Sequence, residues 1–525
     1  MLAVTLYDTT LRDGSQRAGI SFSSLDKLRI ARRLDDLGIP YIEGGWPGSN
    51  PKDEEFFRLL QEHPLRRARA VAFSSTCRAG ARPEEDATLA ALLAARTPAV
   101  ALFGKSWDYH VTRGLSTTLE ENLRMIRESV AYLKQQGKEV IYDAEHLFDG
   151  FKRNPAYALA TLTAAAEGGA DWLVLCDTNG GTLPGEVAEI VGTVAERFPG
   201  LRLGIHAHDD SGLGVAVSLA AVQAGATMVQ GTINGYGERC GNANLCAIIP
   251  NLQLKMDRPC LAPEKLAELT AVSHLVSEVA NLPPWDAQPF VGRNAFTHKA
   301  GVHVSALLKD PVMYEHLPPE TVGNERRVLV SELGGRSNLL HTFGQTLDSR
   351  EAAELIRQVK ERESQGFQYE GAEASLAVLS HKGEPPFQLL GLKLMVTGAE
   401  GPAESEVSIK LRVGGEVVHT AAEGNGPVHA LDSALRKALT QVYPAVARVE
   451  LLDYKVRVLE GSHGTGAIVR VLIESGDGLQ TWSTVGASTN IFEASWQALA
   501  DSLTYFLLFR MGEAAAPAAP AHKAL

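Results

Sequence analysis

Through its first 235 residues the chain alternates eight times between short apolar runs rich in β-branched residues and stretches with helical periodicity. The runs are AVTLYD (3–8), YIEGGW (41–46), RAVAFSS (69–75), AVALFGKS (99–106), EVIYDAEH (139–146), DWLVLCDT (171–178), LRLGIHAH (201–208) and TMVQGTING (227–235). Between them lie segments such as LDKLRIARRLDDLG (25–38), TTLEENLRMIRESVAYLKQQG (117–137) and GEVAEIVGTVAERF (185–198). Eight strands alternating with helices, over a length close to the ~250 residues usual for the fold, predict an α/β chain that opens with a TIM (β/α)8 barrel. Such barrels place their chemistry in the loops after the strands. Polar and glycine-rich motifs gather there: DTTLRDGSQ, GGWPGSNPKD, DAEHLFDG, DTNGG, HAHDD and NGYGERCGNAN. A doubly wound open sheet is the alternative, but no GxGxxG follows the first strand.

The barrel is expected over 1–275. Residues 276–390 turn rich in Pro, Gly and charge, with helical pieces such as SREAAELIRQVKERESQ (349–365), and read as a helical connecting region. Residues 391–510 suggest a small α+β domain of two similar halves, with Gly424 and Gly486 each turning into a helix at a spacing of roughly 60 residues. Dimerisation and effector binding are both open for it. The end, 511–525, has nothing to bury and is expected to be disordered.

A net charge of −12, from 50 basic and 62 acidic residues, argues against a nucleic-acid surface. No apolar run approaches the ~20 residues that span a bilayer, so no membrane partner is expected. The N-terminus reads as a first strand rather than a secretion signal. Five cysteines without a CxxC pair suggest neither a disulfide framework nor a thiolate zinc site, and a reducing cytoplasm is the simplest setting.

His206 and His208 stand two apart at the end of the seventh run, so on a strand both imidazoles share a face. Two neutral imidazoles converging on one point suit a divalent metal, although a hydrogen-bonded polar pair would show the same spacing. Asp13 follows strand 1, which a closed barrel separates from strand 7 by strand 8 alone, so its carboxylate can reach that point. Asn242, beyond strand 8, can add an amide oxygen. The set leaves coordination positions open, as a catalytic site requires. Arg12, beside Asp13, suits polarising a carbonyl or neutralising an enolate oxygen, and equally an ion pair with Glu43 or Glu145. Thr178 ends strand 6 as a neutral donor for a substrate carboxylate. Glu145 ends strand 5 at the same mouth, for catalysis or as a partner to a metal ligand or to Arg12.

With DTTLRDGSQ, HAHDD and GYGERCGNANL in this order, the chain resembles the DRE-TIM metallolyase superfamily, and its C-terminal part is similar to the regulatory domain of isopropylmalate and citramalate synthases. YIEGGWPGSNPKD, FGKSWD and YDAEHLFDG look most like the longer class of (R)-citramalate synthases. The resemblance implies a Claisen-type condensation of acetyl-CoA with an α-keto acid, expected to be pyruvate, followed by thioester hydrolysis and feeding isoleucine biosynthesis. It implies a divalent cation (Mn, Mg, Zn or Co) on Asp13, His206, His208 and Asn242, with Arg12 on the enolate. It implies a base formed by His303, in FTHKAGVH, working with Glu145, with His298 as the competing position and Tyr314 assisting. In relatives this histidine can be presented to the neighbouring subunit, so a homodimer is expected, with isoleucine as effector of the C-terminal domain. Asp143 stands on strand 5 beside the keto-acid pocket where some citramalate synthases carry tyrosine, so that wall cannot be carried over.

Three readings compete. Isopropylmalate or homocitrate synthase would keep the chemistry and change the keto acid, and an apolar pocket separates substrates differing by a methyl group by only ~1–3 kcal/mol. For homocitrate, Lys105 and Arg113 are the available cations near strand 4, though a solvated loop suits them better. A hydroxymethylglutaryl-CoA lyase-like enzyme would carry a reactive cysteine in its glycine loop, whereas this chain has NGYGER there and Cys240 is expected to be a small buried residue. A sensor without activity would have lost Asp13, a strand-7 histidine or His303, and all are present.

Overall fold

Eight parallel strands close into a barrel in sequence order: β1 (Thr5–Asp8), β2 (Tyr41–Gly45), β3 (Arg69–Ser75), β4 (Ala99–Lys105), β5 (Glu139–Glu145), β6 (Trp172–Asp177), β7 (Arg202–Ala207) and β8 (Met228–Gly231). β1 pairs with both β2 and β8, which closes the ring. The architecture is that of a computed structural model, in which residues 3–329, 349–398, 404–459 and 466–511 are described.

Successive strand residues alternate between two buried environments, the pattern of a sheet covered on both faces. Tyr7, Val71, Ala101, Ile141, Val174 and Met228 fill the barrel interior. Their neighbours Leu6, Ala72, Leu102, Tyr142, Leu173 and Val229 pack outward against the helices. The helices begin and end on local signals. Ser24–Leu37 starts on a capping box between Ser23 and Asp26 and stops at Gly38, whose φ of 103° is open to glycine. Leu119–Gln135 starts where the Thr118 side chain accepts from the Glu121 amide, and Pro184–Arg197 carries proline in its first turn.

The eighth run departs from its expected extent. β8 ends at Gly231, and Ile233–Gly235 form a 3-10 turn with Asn234 at φ 63°. Asn234 Nδ2 donates to Ser273 O (2.9 Å) and Ser277 Oγ (3.0 Å), both on the helix Leu269–Val279. That helix also runs through the boundary expected at 275.

The chain divides into two units, residues 1–296 with 317–326, and residues 297–316 with 327–525. In the second, the helices Ser349–Ser364 and Glu373–Ser380 precede two three-stranded antiparallel sheets. Phe387–Thr397, Glu404–Val413 and Glu416–Gly424 lead into the helix Pro427–Leu439. Glu450–Val458, Val469–Gly476 and Thr481–Ser488 lead into Ile491–Tyr505. Each half is thus three strands and a helix, and both contribute to one core through Ile409, Leu435, Val471 and Leu499. Among the described residues no helix is long and apolar enough to cross a membrane. Residues 512–525, most of the tail expected to be disordered, lie outside the described residues.

Candidate active site

The C-terminal mouth of the barrel holds a cavity of about 220 Å3, lined by Arg12, Asp13, Asp143, Glu145, Thr178, His206 and His208 among others. His206 is inward-facing on β7, and His208, one residue past the strand, follows it at the same two-residue period. Asn242 reaches them because the loop after β8 folds back onto the end of β7. Ala243 N–H donates to Ala207 O (2.8 Å), Asp209 N–H donates to Gly241 O (2.9 Å), and His208 and Asn242 form an isolated bridge. Gly241 permits this return: its φ is 102°, and a Cβ there would meet Gly235 O at 2.0 Å.

One ligand atom from each of Asp13, His206 and His208 lies within 4.8 Å of the others, and all three residues are buried. His206 Nε2 is 3.3 Å from both His208 Nε2 and Asp13 Oδ2. Three acceptor-bearing groups facing one another in a buried space repel unless a proton or a cation is shared. Asn242 points Nδ2 at Asp13 Oδ2 (2.8 Å), while its buried Oδ1 has no hydrogen-bond partner. A half-turn of the amide exchanges the two atoms and brings an oxygen into the group. This is a mixed N/O donor set that fits a divalent cation.

Electrostatics keep Asp13 and His208 in ligand form and draw a proton to His206. Burial would push the Asp13 carboxyl up, but Arg12, His206 and His208 hold it well below the usual carboxylate range. Burial, then His206, lowers His208 to about 4, so its ring is neutral at physiological pH. Burial opposes the charged form of His206 as well, yet the hydrogen bond and charge of Asp13 raise it.

Arg12 is held on three sides. Its Nε donates to Glu43 Oε1 (2.5 Å), its Nη1 lies 3.6 Å from Asp13 Oδ2, and its guanidinium stacks 3.8 Å from the centre of the Phe73 ring. Glu43, wholly buried, also accepts from the Tyr7 hydroxyl (2.6 Å). Of the two ion pairs open to Arg12, it makes the one with Glu43; Glu145 instead pairs with Lys105. Thr178 Oγ1 accepts from the His146 amide (2.9 Å), which leaves its own hydroxyl hydrogen to donate. Asp143 faces the cavity, and burial, then Glu43, pushes its carboxyl up. The adjacent Tyr142 points out of the barrel, into space that a Cβ at Gly104 would obstruct, 2.7 Å from its hydroxyl.

In the second unit His303 is exposed on the short helix Gly301–Leu307, and its ring stacks on Tyr314 at 4.2 Å. His298 is engaged with the buried Glu315, Nε2 to Oε1 3.2 Å. Cys240 corrects an expectation: it is exposed, because the loop that returns Asn242 to the barrel carries the three residues before Gly241 outward. Sequence reasoning missed Gln230, which hydrogen-bonds both His206 and Asp143, and the aromatic wall of Trp46, Phe73 and Phe103. Phe73 and Phe103 stack at 5.2 Å, and Trp46 meets both edge-on.

Residues 3–276 match the HMGL-like family, residues 290–366 the homocitrate synthase post-HMGL domain-like family, and residues 373–507 the LeuA allosteric (dimerisation) domain. The chain is 56% identical to an (R)-citramalate synthase of Synechocystis sp., over 96% of each chain. It is 53% identical to an (R)-citramalate synthase of Aquifex aeolicus, over 96% of this chain and 98% of that one. A 2-isopropylmalate synthase of Shewanella amazonensis is 32% identical over 94% of each.

Proposed function

Because this chain belongs to the (R)-citramalate synthase family, we propose that it joins the methyl carbon of acetyl-CoA to the keto carbon of pyruvate at the mouth of its barrel. Hydrolysis of the thioester then releases (R)-citramalate and CoA, so the enzyme is an acyltransferase whose acyl group becomes alkyl on transfer. The observation that carries the reading is the convergence of Asp13, His206 and His208 beside Arg12 in one cavity.

The family implies a divalent cation, and Asp13, His206, His208 and Asn242 are the residues that would hold Mn, Mg, Zn or Co, which supplies Lewis acidity to the keto carbonyl when bound. Thr178 donates its free hydroxyl hydrogen to the pyruvate carboxylate. Arg12, fixed by Glu43 and Phe73, turns its remaining N–H groups to the cavity and neutralises the enolate oxygen of the acetyl group without having to reorganise. His303 removes the methyl proton with Glu145, and Tyr314 supports the His303 ring. Among the described residues no hydrogen bond engages His303, whereas His298 is bonded to Glu315, and this favours His303 as the base. Exposed apolar Val302, Val312 and Met313 lie around it in sequence, the character of a surface covered in a homodimer. Asp143 and the Trp46, Phe73 and Phe103 rings bound the keto-acid side of the cavity. Five free cysteines suit the cytoplasm.

Release of CoA, followed with a thiol reagent, tests this. Pyruvate is expected to outperform 2-oxobutyrate, 2-oxoisovalerate and 2-oxoglutarate, and a chelator is expected to stop release with every keto acid. Preference for another keto acid would move the substrate, and release indifferent to chelator would overturn the metal reading.

The LeuA-type domain we read as the seat of feedback inhibition by isoleucine, the amino acid whose synthesis citramalate feeds. Isoleucine is expected to slow CoA release by the full chain, and removal of residues beyond 390 to abolish that inhibition. A truncated enzyme still inhibited to the same extent would put the effector elsewhere.

A further inference from the structure

Gln230 is wholly buried on β8 and stands in register with His206 on β7. Its amide spans two groups: Oε1 lies 2.8 Å from His206 Nδ1, and Nε2 donates to Asp143 Oδ1 at 3.0 Å. An amide oxygen only accepts, so His206 Nδ1 carries the hydrogen. In the neutral ring, the form that can bind a cation, Nε2 is then the nitrogen with the lone pair, and Nε2 is the atom turned toward Asp13 and His208. By shape alone the amide fits equally well turned over, which would set NH2 against Nδ1 and an oxygen against a carboxylate oxygen of Asp143. As a carboxylate, Asp143 only accepts, and favours one sense of the amide. A tyrosine hydroxyl in that place would donate or accept, and would leave the amide free to turn.

We propose that Asp143 and Gln230 act as a relay that fixes the tautomer of His206 and so sets how tightly the barrel holds its cation. Gln230 is a positioning residue: it reaches the reacting atoms only through His206. Asp143 has a second task beyond bounding the cavity, and the two together explain why polar side chains of β5 and β8 meet inside the barrel. The proposal rests on the reading of Asp13, His206 and His208 as cation ligands.

Mn2+ titrated calorimetrically into the metal-free full-length chain separates the two ideas. The wild type is expected to bind and His208→Ala to bind far more weakly; equal binding by both would sink the ligand reading itself. Gln230→Leu, close in shape but without the amide, is expected to weaken Mn2+ binding by about 10–100-fold, the usual cost of losing a partner behind a ligand histidine. Gln230→Glu accepts from Nδ1–H whichever way it lies, and is expected to bind at least as tightly as wild type. Asp143→Ala is expected to weaken binding in the wild-type background and not in the Gln230→Glu background. That pair decides the matter even if Gln230→Leu does not fold, which thermal unfolding would reveal. Wild-type affinity in folded Gln230→Leu, or an equal loss from Asp143→Ala in both backgrounds, would overturn the relay.

Discussion

Replacing His206 with alanine is expected to reduce chelator-sensitive CoA release to below about a thousandth of the wild-type rate while the barrel stays folded. The magnitude follows from position. Losing a partner behind a metal ligand typically costs about 10–100-fold, and His206 is itself read as a ligand. The substitution also removes the group that faces Asp13 and His208 at once and leaves the Gln230 oxygen without its donor. Folding should survive, because the outward face of β7, with Leu203 and Ile205, keeps its packing against the helices. Metal content by elemental analysis should fall with activity. Full activity in the variant would refute the metal assignment outright.

The second large effect is expected at His303. Alanine there should lower turnover by about 10²–10⁴-fold, the usual contribution of a positioned base, with metal content unchanged. The His303 ring is exposed and stacked on Tyr314, so its removal disturbs little packing. The split between activity and metal content distinguishes a base from a ligand. Should metal content fall instead, His303 is a ligand and the base lies elsewhere. His298→Ala is the comparison to make beside it, since that ring already engages buried Glu315 and its loss should act through stability.

The eight strands were legible because each apolar run is bounded by helical periodicity and turn residues, and because closure follows from eight parallel strands. The two halves of the C-terminal domain announced themselves through Gly424 and Gly486, although Gly424 is the last residue of its strand and Gly486 lies within its strand, two residues before the end, rather than at the turns into the helices. Asp13, His206 and His208 could be grouped in advance because topology alone sets β1 two places from β7. Gln230 could not. Inside a barrel covered on both faces, alternation no longer tells inward from outward residues, and a glutamine in TMVQGTING carries no sign of which way it points. For the same reason Tyr142 gave no hint that it faces the helices while Asp143 faces the cavity. Pairing choices were also hidden: Lys105 takes Glu145 only because β4 and β5 set them side by side. Cys240 misled because its small side chain suggested burial, whereas the sharp return at Gly241 decides its exposure.

Asn242 and Asp13 are hydrogen-bonded although 229 residues separate them along the chain. As the ribosome makes this protein, the Asp13 carboxylate must wait for nearly the whole barrel before it meets Asn242. Contacts of such long range form late and slow folding. A cation held there, as proposed, can therefore do nothing to recruit the early strands, and would act as a clasp on a ring that has already come round. Metal added during refolding should leave the folding rate almost untouched and slow the opening of the finished barrel, since a bond absent from the transition state is felt on the way out.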